Sequence, residues 1–461
     1  MSIKIYLNLF ALVSILFLSS CGNMGELYLP EDREDHQNYS SEKKLGMSIF
    51  LERKNGELYF DGFSLSDVAK KFSTPCYVYS KNLITENFKA YKRSFRSKRS
   101  LICYAVKANP NIAILQLLAE LGAGFDVTSE GELHRAIYAG GDPKKIIFSG
   151  VGKSKADIWQ GLLHDIHCFN VESKHELLLI NQLAGDQNKK ASVSLRVNPD
   201  INVQTHPYIA TGLKNDKFGI DINDAHKMFH FAKDLKNINL VGIACHIGSL
   251  IYDVSPFKQS LKILLTFLDK LKLENIHLSQ IDIGGGLGVL NTDASQETIQ
   301  NFSEAISSEF GDRTEQIILE PGRSIIGNAG LLLMKVEHTK RNGDKNFAIV
   351  DAGMNDYIRP ALYQSEMKIE SVTSNSCEKK IYEIVGPVCE SGDFLGKNRL
   401  MSIKSGDILC LIDAGAYGFA MASNYNSRYR PPEIIISNQQ LIMVRKRESF
   451  EDITRNESLI N

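Results

Sequence analysis

A few residues of this 461-residue chain stand where chemistry is possible. Lys107 ends the apolar run LICYAV; an amine desolvated there has a lowered pKa and could form a Schiff base with an aldehyde. A lone lysine in that place would simply reach back to water, so its meaning depends on its company. Gly284, Gly285, Gly286, Leu287 and Gly288 follow Ile-Asp-Ile and precede a helix-like stretch. The backbone N–H groups of such a turn can face a phosphate, although a plain tight turn needs the same residues. The run does not match G-x-G-x-x-G in context and lacks a placed acidic ribose ligand, which excludes a nicotinamide site. Glu320 could hold a pyridine nitrogen protonated, and His246 could stack on such a ring. His246 has no second His or Cys at ligand spacing, so no metal is expected there. A phosphate-binding glycine turn, a Schiff-base lysine and an acid for a pyridinium together specify pyridoxal 5'-phosphate.

The elements that must position these residues are strands alternating with helices. Cys76–Tyr79 predicts a strand, followed by a helix from about Asn82. Eight more strands are predicted at Leu101–Val106, Phe125–Val127, Ile146–Ser149, Cys168–Val171, Ser192–Val197, Leu240–Cys245, Gln280–Ile283 and Gln316–Leu319. Most precede an amphipathic helix; in Ile112–Leu121, Ile112, Leu115 and Leu118 share a face and Gly122 can end it. Eight βα units of this size predict an α/β fold with a (β/α)8 TIM-type barrel, an open doubly wound sheet being the alternative. Lys107, Asp126, His246, Ser249, Gly284 to Gly288, Glu320 and Arg323 then fall at strand C-termini, the face where barrels collect their active sites. After Ile325 the strand-like runs Phe347–Val350, Ile381–Val385 and Ile408–Ile412 predict a C-terminal β-rich domain of barrel or sandwich type. The expected organisation is residues 47–73 as strands joining that β domain, 74–325 as the barrel, and 326–461 as the β domain.

Composition narrows the partners. Lys+Arg 53 against Asp+Glu 54 leaves a net charge of -1, which argues against a nucleic-acid binder. The eight cysteines are scattered without a CxxC pair, which implies free thiols and a reducing compartment. Residues 1–46 differ from the rest. Lys4, the apolar run Ile5–Leu18 and Leu18-Ser19-Ser20-Cys21 resemble a lipoprotein signal in which Cys21 would carry lipid. The continuation CGNMGELYLPED resembles very small bacterial lipoproteins of the lipopolysaccharide-export machinery, and residues 31–46 suit a flexible linker. The preferred expectation is a fused or overlong reading frame ahead of a cytoplasmic enzyme that could start at Met47. A lipid-anchored enzyme is the alternative.

Longer motifs go further. From about Phe50 to Ile442 the chain resembles the diaminopimelate decarboxylases, fold-type III pyridoxal-phosphate enzymes related to alanine racemase and ornithine decarboxylase. The resemblance is carried by YAVKANPN, GAGFDVTSEGEL, RVNPD, CHIGS, DIGGGLG, EPGRSIIGNAG and GAYGFAMASNYNSR, and most specifically by THPYIATGLKNDKFG, MNDYIRPALY and VCESGD. It implies decarboxylation of meso-2,6-diaminopimelate to L-lysine and CO2, the last step of bacterial lysine synthesis. It implies that Lys107 carries the cofactor, Glu320 faces the ring nitrogen, His246 packs on the ring, and Asp126 orients the lysine. Gly284 to Gly288, Ser249 and Tyr417 would hold the phosphate. Arg323, Arg359 and Tyr363 match positions that bind substrate carboxylate, where arginine's planar fork suits the ligand; Arg323 and Tyr417 would touch both cofactor and substrate. Glu390 would take the substrate ammonium, and Cys389 would return a proton to the carbanion. In the family those two residues reach the neighbouring subunit's site, so a homodimer is implied. His206-Pro207-Tyr208 falls where a lid would lie.

Leu250 departs from the pattern, because family members commonly have Gln after HIGS. Three alternatives remain: a decarboxylase for ornithine, arginine or a carboxylated polyamine; a catalytically dead partner of active relatives; and a membrane role vested in the N-terminal segment.

Overall fold

The computed structural model describes residues 50–201, 217–288 and 294–460. The lipoprotein-like segment with Cys21, the linker, and His206-Pro207-Tyr208 lie outside the described residues. Strands run in chain order as β1 Leu51–Lys54, β2 Glu57–Phe60, β3 Phe63–Ser64, β4 Cys76–Ser80, β5 Ser100–Ala105, β6 Gly124–Val127, β7 Ile146–Phe148, β8 Cys168–Val171, β9 Ala191–Asn198 and β10 Ile220–Asp221. They continue as β11 Ile238–Ala244, β12 Gln280–Asp282, β13 Gln316–Leu319, β14 Gly330–Asn342, β15 Lys345–Val350, β16 Ile369–Ser371, β17 Lys380–Val385, β18 Phe394–Met401, β19 Ile408–Leu411, β20 Glu433–Ser437 and β21 Gln440–Arg445.

Eight of these strands close a parallel barrel in the order β5, β6, β7, β8, β9, β11, β12, β13, with β13 pairing back onto β5. The eight strands expected from the sequence are these eight, and the open-sheet alternative falls. Side-chain caps set where the outer helices begin. Ser129, Ser154 and Ser173 each accept from the N–H three residues on, at Glu132, Asp157 and Glu176, and Asn111 accepts from Ala113. Inside the barrel, Leu101, Cys103, Ile147 and Ile318 form an apolar cluster on the strands. The residues nearer the strand C-termini are polar, which is where the barrel ceases to be a plug and becomes a site.

The second region is built on β14, a 13-residue strand flanked by β4 and β15 in the order β18, β17, β15, β14, β4, β20, β21, with β19 and β16 pairing beside it. One expectation changes here. The strand at Cys76, assigned from sequence to the start of the barrel segment, instead lies between β14 and β20 in this sheet. Its five residues are all buried, so a continuous apolar run gave no sign of which sheet would receive it. The strands near Phe50 and Tyr59 make their own three-stranded sheet, β1 to β3, whose Leu51, Leu58 and Phe60 share a core with Leu331, Leu333 and Ile434. That small sheet is tied on by hydrogen bonds from Leu58 N–H to the Val372 carbonyl and from Ser374 N–H to the Gly56 carbonyl.

The two regions meet at the barrel mouth through buried polar contacts. Glu433 on β20 is fully buried and accepts from Tyr79 Oη at 2.8 Å, Asn111 Nδ2 at 2.8 Å and Arg445 Nε. The Tyr417 N–H donates to the Ala108 carbonyl at 2.8 Å, and Asn109 Nδ2 to the Gly415 carbonyl at 3.1 Å. These bonds clamp the turn that carries Lys107. Among the described residues, no helix is long and apolar enough to cross a membrane.

Candidate active site

Lys107 sits in a single 3-10 turn, Val106–Ala108, directly after β5. Its Nζ lies 2.8 Å from Oδ2 of Asp126, which is fully buried near the end of β6. Burial pushes this amine's pKa down, but the acidic surroundings, led by the Asp126 carboxylate, outweigh it and the net shift is upward. The sequence expectation of a lowered value is therefore corrected: the neighbouring acid, not the apolar strand, decides the charge. Oδ1 of Asp126 is buried without a hydrogen-bond partner.

Glu320 follows β13 and is buried beside Asp282, the last residue of β12. Its pKa stands well above the ordinary carboxylate range, through burial first and then the negative charges of Asp126 and Asp282. Asp282 is raised by burial as well, and the two are hydrogen-bonded to each other, so the pair holds a proton with Glu320 as its carrier. Oε1 of Glu320 accepts from Ser149 Oγ and Asn170 Nδ2, both at 3.3 Å. Asp282 Oδ2 accepts from Asn170 Nδ2 at 2.9 Å, and its Oδ1 from the Gly284 N–H at 2.9 Å. Asp282, Asn170 and Ser149 were not singled out from the sequence. Asp282 precedes the glycine run, and inward-facing polar residues at strand ends were the signal that could have found all three.

The glycine turn packs against the segment after β11. The Gly285 N–H donates to His246 Nδ1 at 3.1 Å, which makes that nitrogen an acceptor and leaves the ring proton on Nε2. Burial, then Lys107 and Arg196, hold the imidazole well below its ordinary pKa, so it is neutral. The Ile251 N–H donates to the Gly286 carbonyl, and the Gly288 N–H to the Ile251 carbonyl. Gly284, Gly285 and Gly288 thus use their N–H groups within the protein, to Asp282, His246 and Ile251. The glycines are dictated by close approach. A Cβ on Gly285 would lie 2.2 Å from the Glu320 carbonyl oxygen, and one on Gly286, whose φ is +108°, 2.2 Å from that of Gly248. Ser249 and Leu250 stand on the same neighbouring segment, and Leu250 takes a left-handed φ of 60°.

A second group of residues is cationic. The Arg323 guanidinium lies 4.7 Å from the centre of the Tyr417 ring, and that of Arg359 5.2 Å from the Tyr363 ring. Arg359 is 4% exposed, and Arg323 Nε is buried without a partner. Burial and the neighbouring Arg359 charge lower the pKa of Arg323. Tyr357, missed in the sequence, is buried against both arginines and hydrogen-bonded to Arg359.

Cys389 and Glu390 are exposed. The Cys389 N–H donates to Asn426 Oδ1 at 3.0 Å, and Glu390 Oε1 accepts from Tyr425 Oη at 2.6 Å. Among the described residues, these bonds fix the loop to the Tyr425–Ser427 turn rather than to Lys107 or Glu320. The arrangement thus offers an amine flanked by acids and, linked to it through Tyr417, a pair of arginines able to bind a carboxylate.

Three comparisons bear on it. The pyridoxal-binding domain model of the pyridoxal-dependent decarboxylases matches residues 81–327. The chain is 46% identical over 407 residues to a diaminopimelate decarboxylase of Pseudomonas aeruginosa, covering 88% of this chain and 98% of that one. It superposes on a crystal structure of the Methanocaldococcus jannaschii diaminopimelate decarboxylase in complex with L-lysine at a TM-score of 0.84 and 38% identity, covering 90% and 98% of the two chains. A lysine decarboxylase from Selenomonas ruminantium is more distant, with a TM-score of 0.71 and 26% identity over 81% of this chain and 95% of that one.

Proposed function

This chain belongs to the diaminopimelate decarboxylase family of pyridoxal-dependent decarboxylases, and on that premise we propose how its residues divide the work. Its reaction is the decarboxylation of meso-2,6-diaminopimelate to L-lysine and CO2, with pyridoxal 5'-phosphate as cofactor. The residues present fit that cofactor: an amine flanked by acids, a protonated buried carboxyl pair, a glycine turn with no room for side chains, and orphaned polar atoms on Asp126 and Arg323. When bound, the cofactor supplies an electron-withdrawing ring that accommodates the negative charge left by departing CO2.

Lys107 would hold the cofactor's aldehyde carbon, and Glu320, backed by Asp282, its ring nitrogen. His246 would pack on the ring face. The Gly286 and Leu287 N–H groups, Ser249 and Tyr417 would hold the phosphate, while Gly284, Gly285 and Gly288 shape the turn. Lys107 must shed a proton before it is a nucleophile, and Asp126 Oδ2, 2.8 Å away, is the base within reach. Oε1 of Glu320 already accepts from Ser149 and Asn170, which leaves Oε2 as the oxygen that would carry the proton. Arg323, Arg359 and Tyr363 would bind the distal carboxylate of the substrate and Glu390 its ammonium. Cys389 would deliver the proton that replaces CO2. The exposure of Cys389 and Glu390 supports a homodimer in which each subunit completes the other's site. Free thiols throughout the described cysteines support the cytoplasmic reading.

The Lys107–Asp126 pair beside protonated Glu320 is the observation that carries this assignment. Borohydride reduction of the purified protein, followed by peptide mass analysis and CO2 assays on each diamino acid, tests it. We expect the label on Lys107 and CO2 from meso-diaminopimelate, not from ornithine, arginine or carboxylated polyamines; a label on any other lysine rejects the assignment. Cys389→Ala should keep the cofactor's absorbance and lose about 10²- to 10⁴-fold in turnover. Mixing it with Lys107→Ala should restore about a quarter of the sites in a two-fold dimer, and no recovery would refute the shared site.

A further inference from the structure

The sequence carries His226 and His230 four residues apart on the helix Ile222–Lys233, a spacing that stacks both rings on one helical face. Opposite them stands Glu274, which caps the C-terminal end of the helix Ser255–Leu273. The two imidazoles converge on a single oxygen: His226 Nε2 lies 2.6 Å and His230 Nε2 2.7 Å from Glu274 Oε2. Their ring centres are 4.9 Å apart, and the Phe267 ring stands edge-on to His226 at 6.4 Å, which limits the rotamers open to it. One ligand atom from each residue lies within 4.8 Å of the others, and all three side chains are partly exposed, so an ion has access.

We propose that His226, His230 and Glu274 form a binding site for a divalent transition ion, zinc being the type case, that links these two barrel helices. Two imidazole nitrogens and one carboxylate oxygen are the donor set that borderline ions such as Zn2+, Co2+, Ni2+ and Cu2+ prefer. Mg2+ and Ca2+ demand more oxygen ligands and are excluded. A ligating nitrogen must be bare, so the proton that each Nε2 now shares with Glu274 moves to Nδ1 or is released to solvent as the ion binds. Three protein ligands leave a fourth position for water. Separations near 2.6 Å open by several tenths of an ångström to admit the metal, a change within reach of side chains at a helix surface. Nothing in the decarboxylation uses these residues, so the site adds to that activity rather than belonging to it.

The test is calorimetric titration of ZnCl2 into tag-free, cofactor-loaded enzyme, alongside His230→Ala and the His226→Ala/His230→Ala double variant. The expected result is one high-affinity site per chain, weakened by about tenfold or more in the single variant and lost in the double. Thermal unfolding gives a second reading: Zn2+ should raise Tm for the native protein, MgCl2 should not, and the double variant should unfold at its own metal-free temperature in both salts. Because the histidines lie on the helix surface, circular dichroism of the metal-free variants should match the native spectrum. Copper substitution should show hyperfine coupling to two imidazole nitrogens. Equal Zn2+ affinity in native and double-variant protein would place the ion elsewhere, on the exposed Cys377 or Cys389 for example, and would overturn the proposal. Absence of binding to the native protein would overturn it as well.

Discussion

Two like-charged pairs stand at the barrel mouth, and each relieves its crowding differently. Asp282 and Glu320 are buried together and hold a proton between them, so the repulsion is removed from within. Arg323 and Arg359 have no such recourse, because a guanidinium keeps its charge at any pH a protein meets. Tyrosine rings cover them instead, and the Arg323 Nε has no protein acceptor. The acid pair is therefore built to manage a proton. The arginine pair keeps its charge and, on the proposed reading, would receive an anion.

That contrast can be broken at several points. The largest effect belongs to Lys107, the cation that the acids surround. Lys107→Ala should lower kcat by more than about 10³-fold and abolish borohydride labelling, and an active variant would remove the lysine from the chemistry. Glu320→Gln comes next, with kcat down by roughly 10²- to 10³-fold. Its stability should move the opposite way. The folded protein keeps a proton on Glu320 that the unfolded chain releases above the ordinary carboxylate range, so this residue costs stability as pH rises. Cofactor-free Glu320→Gln should therefore be more stable at neutral pH by about 0.5–2 kcal/mol, with a flatter pH profile in denaturant titrations. A variant that is less stable there would show that Glu320 is ionised in the native protein.

Arg359→Ala probes the other pair and should cost about 2–5 kcal/mol in kcat/KM for meso-diaminopimelate, mostly through KM. If kcat/KM is unchanged, the distal carboxylate is bound elsewhere and the alternative decarboxylase substrates regain standing. The smallest effect is on the native protein without cofactor. A dicarboxylate or inorganic phosphate at ten times its Kd should stabilise it by about 1.4 kcal/mol, and Arg323→Ala should erase that gain. A neutral diol at equal concentration should do nothing. Equal stabilisation by both would show that the arginines have no claim on the anion.

The sequence made the barrel legible because its strands alternate with capped helices, and the period changes at each boundary. It also pointed to Lys107, Asp126, His246 and Glu320, since each lies at or just past the C-terminal end of a strand and breaks an apolar pattern. What stayed hidden depended on three-dimensional neighbours. Lys107 next to an apolar strand promised a depressed pKa, and only the fold brought Asp126 close enough to reverse it. The five-residue run at Cys76 looked like any buried strand, and its sheet was decided by partners hundreds of residues later. Gly284, Gly285 and Gly288 looked like phosphate ligands, but their N–H groups are taken by Asp282, His246 and Ile251. The pair His226 and His230 escaped notice because Glu274 is far away in sequence.

The place of β4 in the second sheet has a consequence for synthesis on the ribosome. Tyr77 on β4 sits opposite Leu332 on one side and Glu433 on the other, so neither neighbour exists when Cys76–Ser80 leaves the exit tunnel. A nascent chain can close all eight staves while this apolar strand waits with both edges bare, a sticky interval that chaperones must cover. Any message truncated before codon 433 would leave the edge that β20 covers permanently open. The last strands translated thus act as a completion check on the first.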